Sequence, residues 1–369
     1  MATSKDQRNQ QENQPLESRL SNLPQEIIVG ILSRLAVKSL LQLKCVSKSW
    51  RSVISDPKFA ITHHNRALQD KDVCRQRQRL LLSSRNLYSV QYKLPQDNVR
   101  TGVARELDSP FKYENPYDWV DIIGSCNGWV CIALDDTLFI YNPTTGESKK
   151  ILNAPEILPA RMNKYGYGYD PLNDDYKVVK LVFCGALVRV YSMKANSWKT
   201  IAELACHETV YENGVQLNGA IHWVVWRRKG KDYTSVIASF DLAQEIFTDI
   251  PVPVPEIGDT NTKFGVGVLD GCLCVMHDRY GEHNDFWVMK EYGVIESWTK
   301  FTLPNSYVSL KPLCLLKHDE ALLQVNGKLV LYSLSDKTCK NLVICGVPFG
   351  VSFDADIYVE SLLSPNHNN

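Results

Sequence analysis

The sequence predicts a multidomain α+β protein in which a small N-terminal module of three helices precedes a larger, mainly β domain. Apolar residues recur at helical spacing in the first part of the chain, short β-type segments separated by turn residues follow from Leu80 onward, and those segments repeat. The 369 residues are 44% hydrophobic and 10% aromatic, which is enough apolar material for folded cores and excludes a wholly disordered chain.

Composition and targeting signals favour an intracellular protein. No apolar stretch reaches the roughly 18 to 20 residues that a membrane-spanning helix needs, and residues 1–14 are polar. The eleven cysteines are an odd number without a Cys-x-x-Cys pair, and no Asn-x-Ser/Thr sequon occurs. We therefore expect reduced, buried thiols in a protein that stays inside the cell, with no membrane partner, metal or cofactor.

Charge is distributed unevenly along the chain. Residues 1–100 contain 17 Lys+Arg and 8 Asp+Glu, so the other 269 residues contain 24 and 33. A basic N-terminal part could meet nucleic acid, an acidic membrane or an acidic protein, and the sign of the charge alone does not choose among them.

The helical module is expected at residues 18–64, after a polar tail at 1–17. Asn22 is a suitable N-cap, with Pro24 in the first turn and Gln25 in the capping-box position. The first helix carries an apolar stripe: Leu23, Ile27, Ile28, Ile31, Leu32 and Leu35. A second helix, with Ser39 as its cap, carries Leu40, Leu41, Leu43 and Val46, and a third carries Trp50, Val53, Ile54 and Phe59.

A unit of this size cannot hide so many large apolar side chains within itself. Part of that surface must either dock on the rest of the chain or form an interface with a partner.

Residues 65–79 are expected to form a polar linker. Arg75, Arg77 and Arg79 alternate as the side chains of a strand would, which favours a solvated linker or an edge strand over a phosphate-binding stripe. His63 and His64 are adjacent in a helix and cannot share a face, so a paired metal site is not expected.

The β domain is expected at residues 80–362, before a short tail at 363–369. Asn-Gly or Asp-Gly pairs precede apolar strands at residues 127, 218, 270 and 326, as in hairpins. Equivalent strand positions are separated by 50, 49, 49 and 43 residues, when counted between Tyr141, Tyr191, Phe240, Met289 and Tyr332. This period is typical of β-propeller blades. Five units are detected, so a degenerate first or last blade, or an atypical propeller-like fold, stays open.

The run from Leu23 to Phe59, LPQEIIVGILSRLAVKSLLQLKCVSKSWRSVISDPKF, resembles an F-box. Four of its motifs match the F-box pattern: Leu-Pro-x-Glu at the start, Ile-Leu-x-x-Leu in the first helix, Lys-Ser-Leu-Leu after that helix and Cys-Val-x-Lys-x-Trp at the end. Ala36 stands where the plant pattern usually has proline. The resemblance implies binding to a Skp-type adaptor and, through it, to a cullin. It also implies the residues that form or support the adaptor-facing surface: Leu23, Pro24, Ile27, Ile31, Leu32, Leu35, Leu40, Leu43, Val46 and Trp50.

Four segments of the β domain resemble the plant F-box-associated type 1, kelch-like domain. They are YGYGYDPLNDDYKVVKL from Tyr165, LNGAIHWVV from Leu217, GVGVLDGCLCVM from Gly265 and FWVMKEYGVIESWTKF from Phe286. The two resemblances together cover about nine tenths of the chain. The layout is similar to that of the immune-regulating F-box proteins named for constitutive expression of pathogenesis-related genes.

Sequence signatures of catalysis are missing. The chain contains no Gly-x-Ser-x-Gly elbow, no Walker-type loop, no Gly-x-Gly-x-x-Gly and no His-Glu-x-x-His. The resemblance implies the function of a non-catalytic substrate receptor of a ubiquitin ligase, which promotes degradation of a target. It also implies intracellular immune receptors as first candidates for that target, and we expect no nucleic acid as partner. Segments 104–119 and 251–263 are the candidates for target contact. The alternatives are a scaffold outside any ligase and a glycan-binding propeller.

Overall fold

The chain forms two compact units in the computed structural model. One contains Met1–Arg77 together with Glu360–Leu363, and the other contains Gln78–Val359 and Ser364–Asn369. The structure describes residues 24–92, 101–110, 119–134, 137–152, 163–182, 187–202, 208–210, 212–229, 232–250, 252, 263–278, 284–317, 319–348 and 352–366.

The first unit is helical. Its described part contains α1 (Gln25–Leu32), α2 (Val37–Leu43), α3 (Lys48–Ile54), α4 (Pro57–Gln69) and α5 (Lys71–Arg77). None of these helices is both long and apolar enough to cross a membrane. Phe59, expected in the third helix, lies instead in α4, because Asp56 caps a new helix by accepting a hydrogen bond from the Lys58 N–H at 2.9 Å.

The first two helices begin at positions that differ from those expected. Pro24 is the N-cap of α1 rather than a residue of its first turn, and its carbonyl accepts hydrogen bonds from the N–H groups of Ile27 and Ile28. Asn22 lies outside the described residues. Ser39 lies inside α2, whose N-cap is Ala36 with φ −64° and ψ 149°. Ala36 thus already adopts the φ that proline would impose.

Residues 65–77 are helical rather than a linker or an edge strand. Asp70 separates α4 from α5, and its carboxylate accepts hydrogen bonds from the N–H groups of Asp72 and Val73 at 3.0 and 3.2 Å. This capping starts α5 and places Arg75 and Arg77 on a helix, so the expected strand-like alternation of the arginines is wrong. The first strand begins at Gln78.

The second unit is a six-bladed β-propeller, which confirms the predicted fold class. Blade I contains β4 (Val120–Cys126), β5 (Trp129–Leu134), β6 (Thr137–Tyr141) and β7 (Ser148–Lys150), and blade II contains β8 (Lys164–Asp170), β9 (Asp175–Val182), β10 (Leu187–Ser192) and β11 (Ser197–Ala202). Blade III contains β12 (Glu208–Val210), β13 (Val215–Leu217), β14 (Ala220–Lys229), β15 (Asp232–Asp241) and β16 (Phe247–Ile250). Blade IV contains β17 (Lys263–Leu269), β18 (Cys272–Asp278), β19 (Asp285–Met289) and β20 (Trp298–Thr302), and blade V contains β21 (Leu310–Lys317), β22 (Glu320–Val325), β23 (Lys328–Ser333) and β24 (Cys339–Asn341).

Blade VI is assembled from both ends of the domain. It contains β1 (Gln78–Ser83), β2 (Leu87–Tyr92), β3 (Thr101–Glu106), β25 (Val343–Cys345) and β26 (Asp354–Val359), in the order β25-β3-β2-β1-β26. The inner strand β26 is antiparallel to β1 and pairs with it from Gln78↔Val359 to Ser83↔Asp354. This pairing closes the ring of blades and leaves only short strand edges.

The Asn-Gly and Asp-Gly pairs form hairpin turns as predicted. Both residues have positive φ at all four sites, for example 53° and 84° at Asn127 and Gly128. Asn127-Gly128 and Asp270-Gly271 join the first and second strands of their blades, and Asn218-Gly219 joins β13 to β14 within blade III. Asn326-Gly327 instead joins β22 to β23, the second and third strands of blade V.

The glycines of the YGYGYDP segment allow close packing of neighbouring blades. A Cβ on Gly166 would lie 2.4 Å from Ile221 Cγ2 and 2.8 Å from Trp223 Cζ2, and a Cβ on Gly168 would lie 2.6 Å from Gln216 Cγ. Only glycine therefore fits at these positions of β8.

Candidate adaptor-binding surface

The apolar stripe of α1 has two faces with different environments. Ile28 and Leu32 are buried, whereas Ile27 and Ile31 are 49% and 52% exposed. Each pair is separated by four residues, so each occupies one side of the helix. The buried side packs into the core of the helical unit, and the exposed side presents two isoleucines to solvent.

An open groove of about 530 Å³ lies along the exposed side of α1 and is lined by Ile27, Gly30, Ile31, Arg34 and Leu35. Gly30 leaves this groove unobstructed. Apart from its chain neighbours and its own helix backbone, no heavy atom lies within 4 Å of the position that a Cβ would take there. The groove is apolar along its sides and carries one guanidinium, which suits an apolar partner surface that also contains acidic groups.

The ten residues predicted for the adaptor-facing surface occupy three environments. Pro24, Ile27, Ile31 and Val46 are exposed; Leu35, Leu43 and Trp50 are half-buried; Leu32 and Leu40 are buried; Leu23 lies outside the described residues. The structure brings Ile27, Ile31 and Leu35 together in the groove. The two buried leucines can contribute only by holding the helices in place, and the assignment of the whole set stays a prediction.

The core under this surface is formed by side chains from four helices. Its buried members are Ile28, Leu32, Leu40, Val53, Ile54 and Phe59. Val29, Leu35, Leu43, Trp50 and Leu362 pack against them. Leu362 was not expected here, because it lies about 300 residues from the others in the sequence.

A buried polar cluster supports the turn after α1. Arg77 donates hydrogen bonds to the carbonyls of His63 and Ser33 at 2.7 and 3.0 Å, and His63 Nε2 lies 2.9 Å from the Leu35 carbonyl. Because a carbonyl only accepts, Nε2 carries the proton, and Nδ1 accepts from Arg77 Nη1 at 3.2 Å. Burial lowers the pKa of His63 to about 4, which keeps the ring neutral in this arrangement.

The charge of the helical unit is positive. Between residues 24 and 77 the sequence contains ten Lys+Arg and four Asp+Glu. Sequence reasoning identified the basic character of this part but not Gly30, Arg34 or the buried role of Arg77. The absence of a side chain at residue 30 is visible in the sequence, but its effect depends on which side of α1 is covered.

Several His and Cys side chains of the propeller are buried. The described residues contain no group of three or more His, Cys, Asp or Glu residues placed to hold a metal ion. Burial raises the pKa of the Cys126, Cys131 and Cys274 thiols, so these groups are protonated and weakly nucleophilic at neutral pH. His222 is buried against Tyr292 and Ser239, with its Nε2 2.6 Å from Tyr292 Oη.

Comparison with known proteins assigns both units. Residues 78–357 match the F-box associated beta propeller domain, and residues 20–62 match the F-box domain. F-box protein CPR1 of Arabidopsis thaliana is 32% identical over 93% of this chain and 89% of its own length. From the same organism, F-box/kelch-repeat protein At3g23880 is 29% identical over 94% of this chain and 96% of its own length. F-box protein At4g22390, also from Arabidopsis thaliana, is 30% identical over 93% of this chain and 90% of its own length.

The F-box match indicates a general role. F-box proteins generally act as substrate adaptors rather than catalysts, and an F-box implies binding to a Skp-type adaptor in an SCF complex. The matched regions correspond to the helical unit and to the propeller, in that order. The chain therefore belongs to the plant F-box proteins that carry an F-box-associated β-propeller domain.

Proposed function

We propose that this protein is the substrate receptor of an SCF ubiquitin ligase. The helical unit binds a Skp-type adaptor, and through it a cullin, while the propeller holds a target protein for ubiquitination and degradation. The chain itself breaks no bond; it raises the effective concentration of the target at an active site on another subunit. We propose the cytoplasm and nucleus as its location.

The exposed groove along α1 is the observation that carries this proposal. Two isoleucines that are about half exposed lie on the same side of α1 along this groove, and such apolar anchors at helical spacing favour a protein partner. The positive charge of the unit favours an acidic adaptor and a fast encounter with it.

The target is proposed to bind one rim of the propeller. Segments 104–119 and 251–263 remain the candidates for contact, although most of their residues lie outside the described ones. The ends of β3 and β16, and the beginnings of β4 and β17, lie on the same rim of the propeller. The ends of the propeller strands at Gln78 and Val359 lie on the opposite rim. Loops gathered on one rim can form a shared binding surface.

Intracellular immune receptors are the first target class to test, on the resemblance to immune-regulating F-box proteins. The test is co-expression of the full chain with such a receptor and measurement of the receptor's half-life. A shorter half-life that is restored by proteasome inhibition supports this choice, and an unchanged half-life contradicts it.

Adaptor binding tests the other half of the proposal. The full chain is mixed with a Skp-type adaptor, and the double variant Ile27→Asp with Ile31→Asp is compared with Leu68→Asp, a charge on a 58% exposed leucine of α4. We expect the double variant to lose binding, because two carboxylates in the groove repel an acidic partner and remove its apolar anchors. Unchanged binding by the double variant would contradict the proposal. If the adaptor does not bind the wild-type chain, a scaffold outside any ligase is favoured.

A further inference from the structure

Four residues near the C-terminus belong to the helical unit. Glu360–Leu363 follow β26 directly in the chain and form one compact unit with the residues that precede the propeller. The N–H of Glu360 donates to the carbonyl of Arg77 at 2.9 Å, and Ser361 is fully buried. The side chain of Leu362 packs against the helical core. Segments that precede and follow the propeller strands in the chain therefore build the helical unit together.

Contacts connect this C-terminal segment to the groove. The N–H of Glu360 donates to the carbonyl of Arg77, and the guanidinium of Arg77 donates to the carbonyl of Ser33. The guanidinium of Arg77 also donates to Nδ1 of His63. The other ring nitrogen of His63 donates to the carbonyl of Leu35. Leu35 lines the groove itself. Leu362 supports the same region from within, because it packs with the buried face of α1.

The segment can reach this position only through the last strand of the propeller. β26 pairs with β1 over its full length, from Gln78↔Val359 to Ser83↔Asp354, and residue 360 follows immediately. Because a chain is synthesised from its N-terminus, the residues of α1 to α5 are synthesised before those of blades I to V and before Leu362. A small unit that lacks one of its packing side chains is poorly stable.

We propose that Glu360–Leu363 make adaptor binding conditional on a completed propeller. Until β26 closes blade VI, the helical unit lacks part of its core and α1 is not held in its binding position. The apparent affinity for the adaptor is then reduced by the fraction of chains whose helical unit is competent. Incomplete or misfolded receptors would thus be kept out of the ligase. This inference rests on the proposed function, namely on adaptor binding by α1.

The test uses the full chain and a Skp-type adaptor. Leu362→Ala removes the packing, Leu362→Met conserves it, and Leu363→Ala changes the neighbouring leucine, which is not among the described side chains packed on the helical core. We expect Leu362→Ala to raise the adaptor dissociation constant at least about fivefold, because a smaller fraction of the chains would have a helical unit able to bind the adaptor. Leu362→Met and Leu363→Ala should stay within about twofold of wild type.

Two chain lengths provide the second comparison. A chain that ends at Val359 should bind the adaptor at least about fivefold more weakly than the full chain, whereas a chain that ends at Asn366 should bind like the full chain. Far-ultraviolet circular dichroism follows the melting of the helices in the same proteins without adaptor, so it reports on the packing even if no adaptor binds.

The outcomes separate the two proposals. Full-length protein that does not bind adaptor overturns the proposed function, and this inference with it. If the full chain binds but Leu362→Ala and the Val359 truncation bind equally well, the proposed function stands and the conditional binding is wrong. Unchanged melting of the helices in Leu362→Ala would also overturn the inference.

Discussion

The guanidinium of Arg77 donates a hydrogen bond to the backbone carbonyl of Ser33 over 3.0 Å, which fixes the end of α5 against the end of α1. Both residues are buried. The last carbonyls of a helix have no partner within the helix, so a donor from outside must satisfy them when they are buried. Arg77 fulfils this role at the turn beside the groove.

Replacing Arg77 with Met should strongly destabilise the helical unit. The carbonyl of Ser33 would lose its donor, and a buried, unsatisfied carbonyl costs about 1–3 kcal/mol. The carbonyl of His63 lies inside α4 and would lose only the charged donor that Arg77 adds to the helical pattern. We expect a loss of about 1–3 kcal/mol in the free energy of unfolding of the helices, measured by urea titration with far-ultraviolet circular dichroism.

Arg75→Met is the matched control for this variant. Arg75 lies on the same helix and its Nη1 is 3.7 Å from a carboxylate oxygen of the exposed Asp72. Such a pair contributes little, so the free energy should change by less than about 0.5 kcal/mol. Equal losses in the two variants would show that the Arg77 hydrogen bonds are unimportant.

The helical unit should lose stability as the pH falls. Burial lowers the pKa of His63 to about 4 in the folded protein, against 6.5 for an ordinary histidine. Between these pH values the imidazole of His63 is protonated in the unfolded chain and neutral in the folded chain. The free energy of unfolding therefore decreases from pH 6.5 towards pH 4. The total decrease is about 3 kcal/mol, and the contribution is constant above pH 6.5.

His63→Asn provides the control, because it removes the imidazole of His63 and keeps that of the neighbouring buried His64. Urea titrations of the helices at pH 7 and pH 4.5 should give a smaller difference for this variant than for wild type. The propeller also contains a buried histidine, His222, whose pKa burial lowers to about 4. Circular dichroism at a helical wavelength therefore has to be followed separately from tryptophan fluorescence. The same pH dependence in wild type and His63→Asn would exclude His63 as the cause.

Replacing Ala36 with Pro should stabilise the helical unit. The φ of −64° at Ala36 matches the value that proline imposes, and no hydrogen bond from the Ala36 N–H occurs among the described residues. Proline restricts the unfolded chain, so we expect a gain of about 0.5–1 kcal/mol in the free energy of unfolding. In contrast, Arg51→Pro should destabilise the unit, because the Arg51 N–H donates to the Ser47 carbonyl at 2.9 Å. A lower melting temperature for Ala36→Pro would contradict the backbone geometry of this turn.

Replacing Gly166 with Ala should destabilise the propeller. The added methyl would lie 2.4 Å from Ile221 Cγ2, so two blades would have to move apart, at a cost of about 1–3 kcal/mol. Gly124→Ala is the control, because the nearest atom to its Cβ is the Tyr167 carbonyl oxygen at 4.0 Å. Tryptophan fluorescence in urea would measure both variants, and an unchanged midpoint for Gly166→Ala would mean that the blades are not in close contact there.

The repeated blades could be predicted from the sequence because each contains its own local signals. Two-residue turns with positive φ, such as Asn218-Gly219, mark hairpins without any long-range information. The composition of blade VI could not be predicted in this way, because β1 and β26 are separated by five blades and no local pattern indicates their pairing.

The adaptor surface could be predicted only in part. Helical spacing identifies the apolar stripe of α1, but not which side of it is buried, because Ile27, Ile28, Ile31 and Leu32 are equally apolar. That choice is made by the packing of α2 to α4 and of Leu362, which is distant in sequence. The alternation of Arg75, Arg77 and Arg79 with few aromatic residues between them predicts a solvated linker or an edge strand. Only the carbonyls of Ser33 and His63 explain why Arg77 is buried instead.

Hydrogen–deuterium exchange of the full chain, with and without a saturating Skp-type adaptor, shows whether the adaptor binds along α1. The amides of residues 27–35 belong to a short helix and its following turn, so they should exchange quickly in the free protein. We expect the adaptor to slow exchange at these amides and to leave exchange in the strands of blades I to V unchanged. An adaptor that binds without protecting residues 27–35, or that protects only propeller strands, would contradict this expectation.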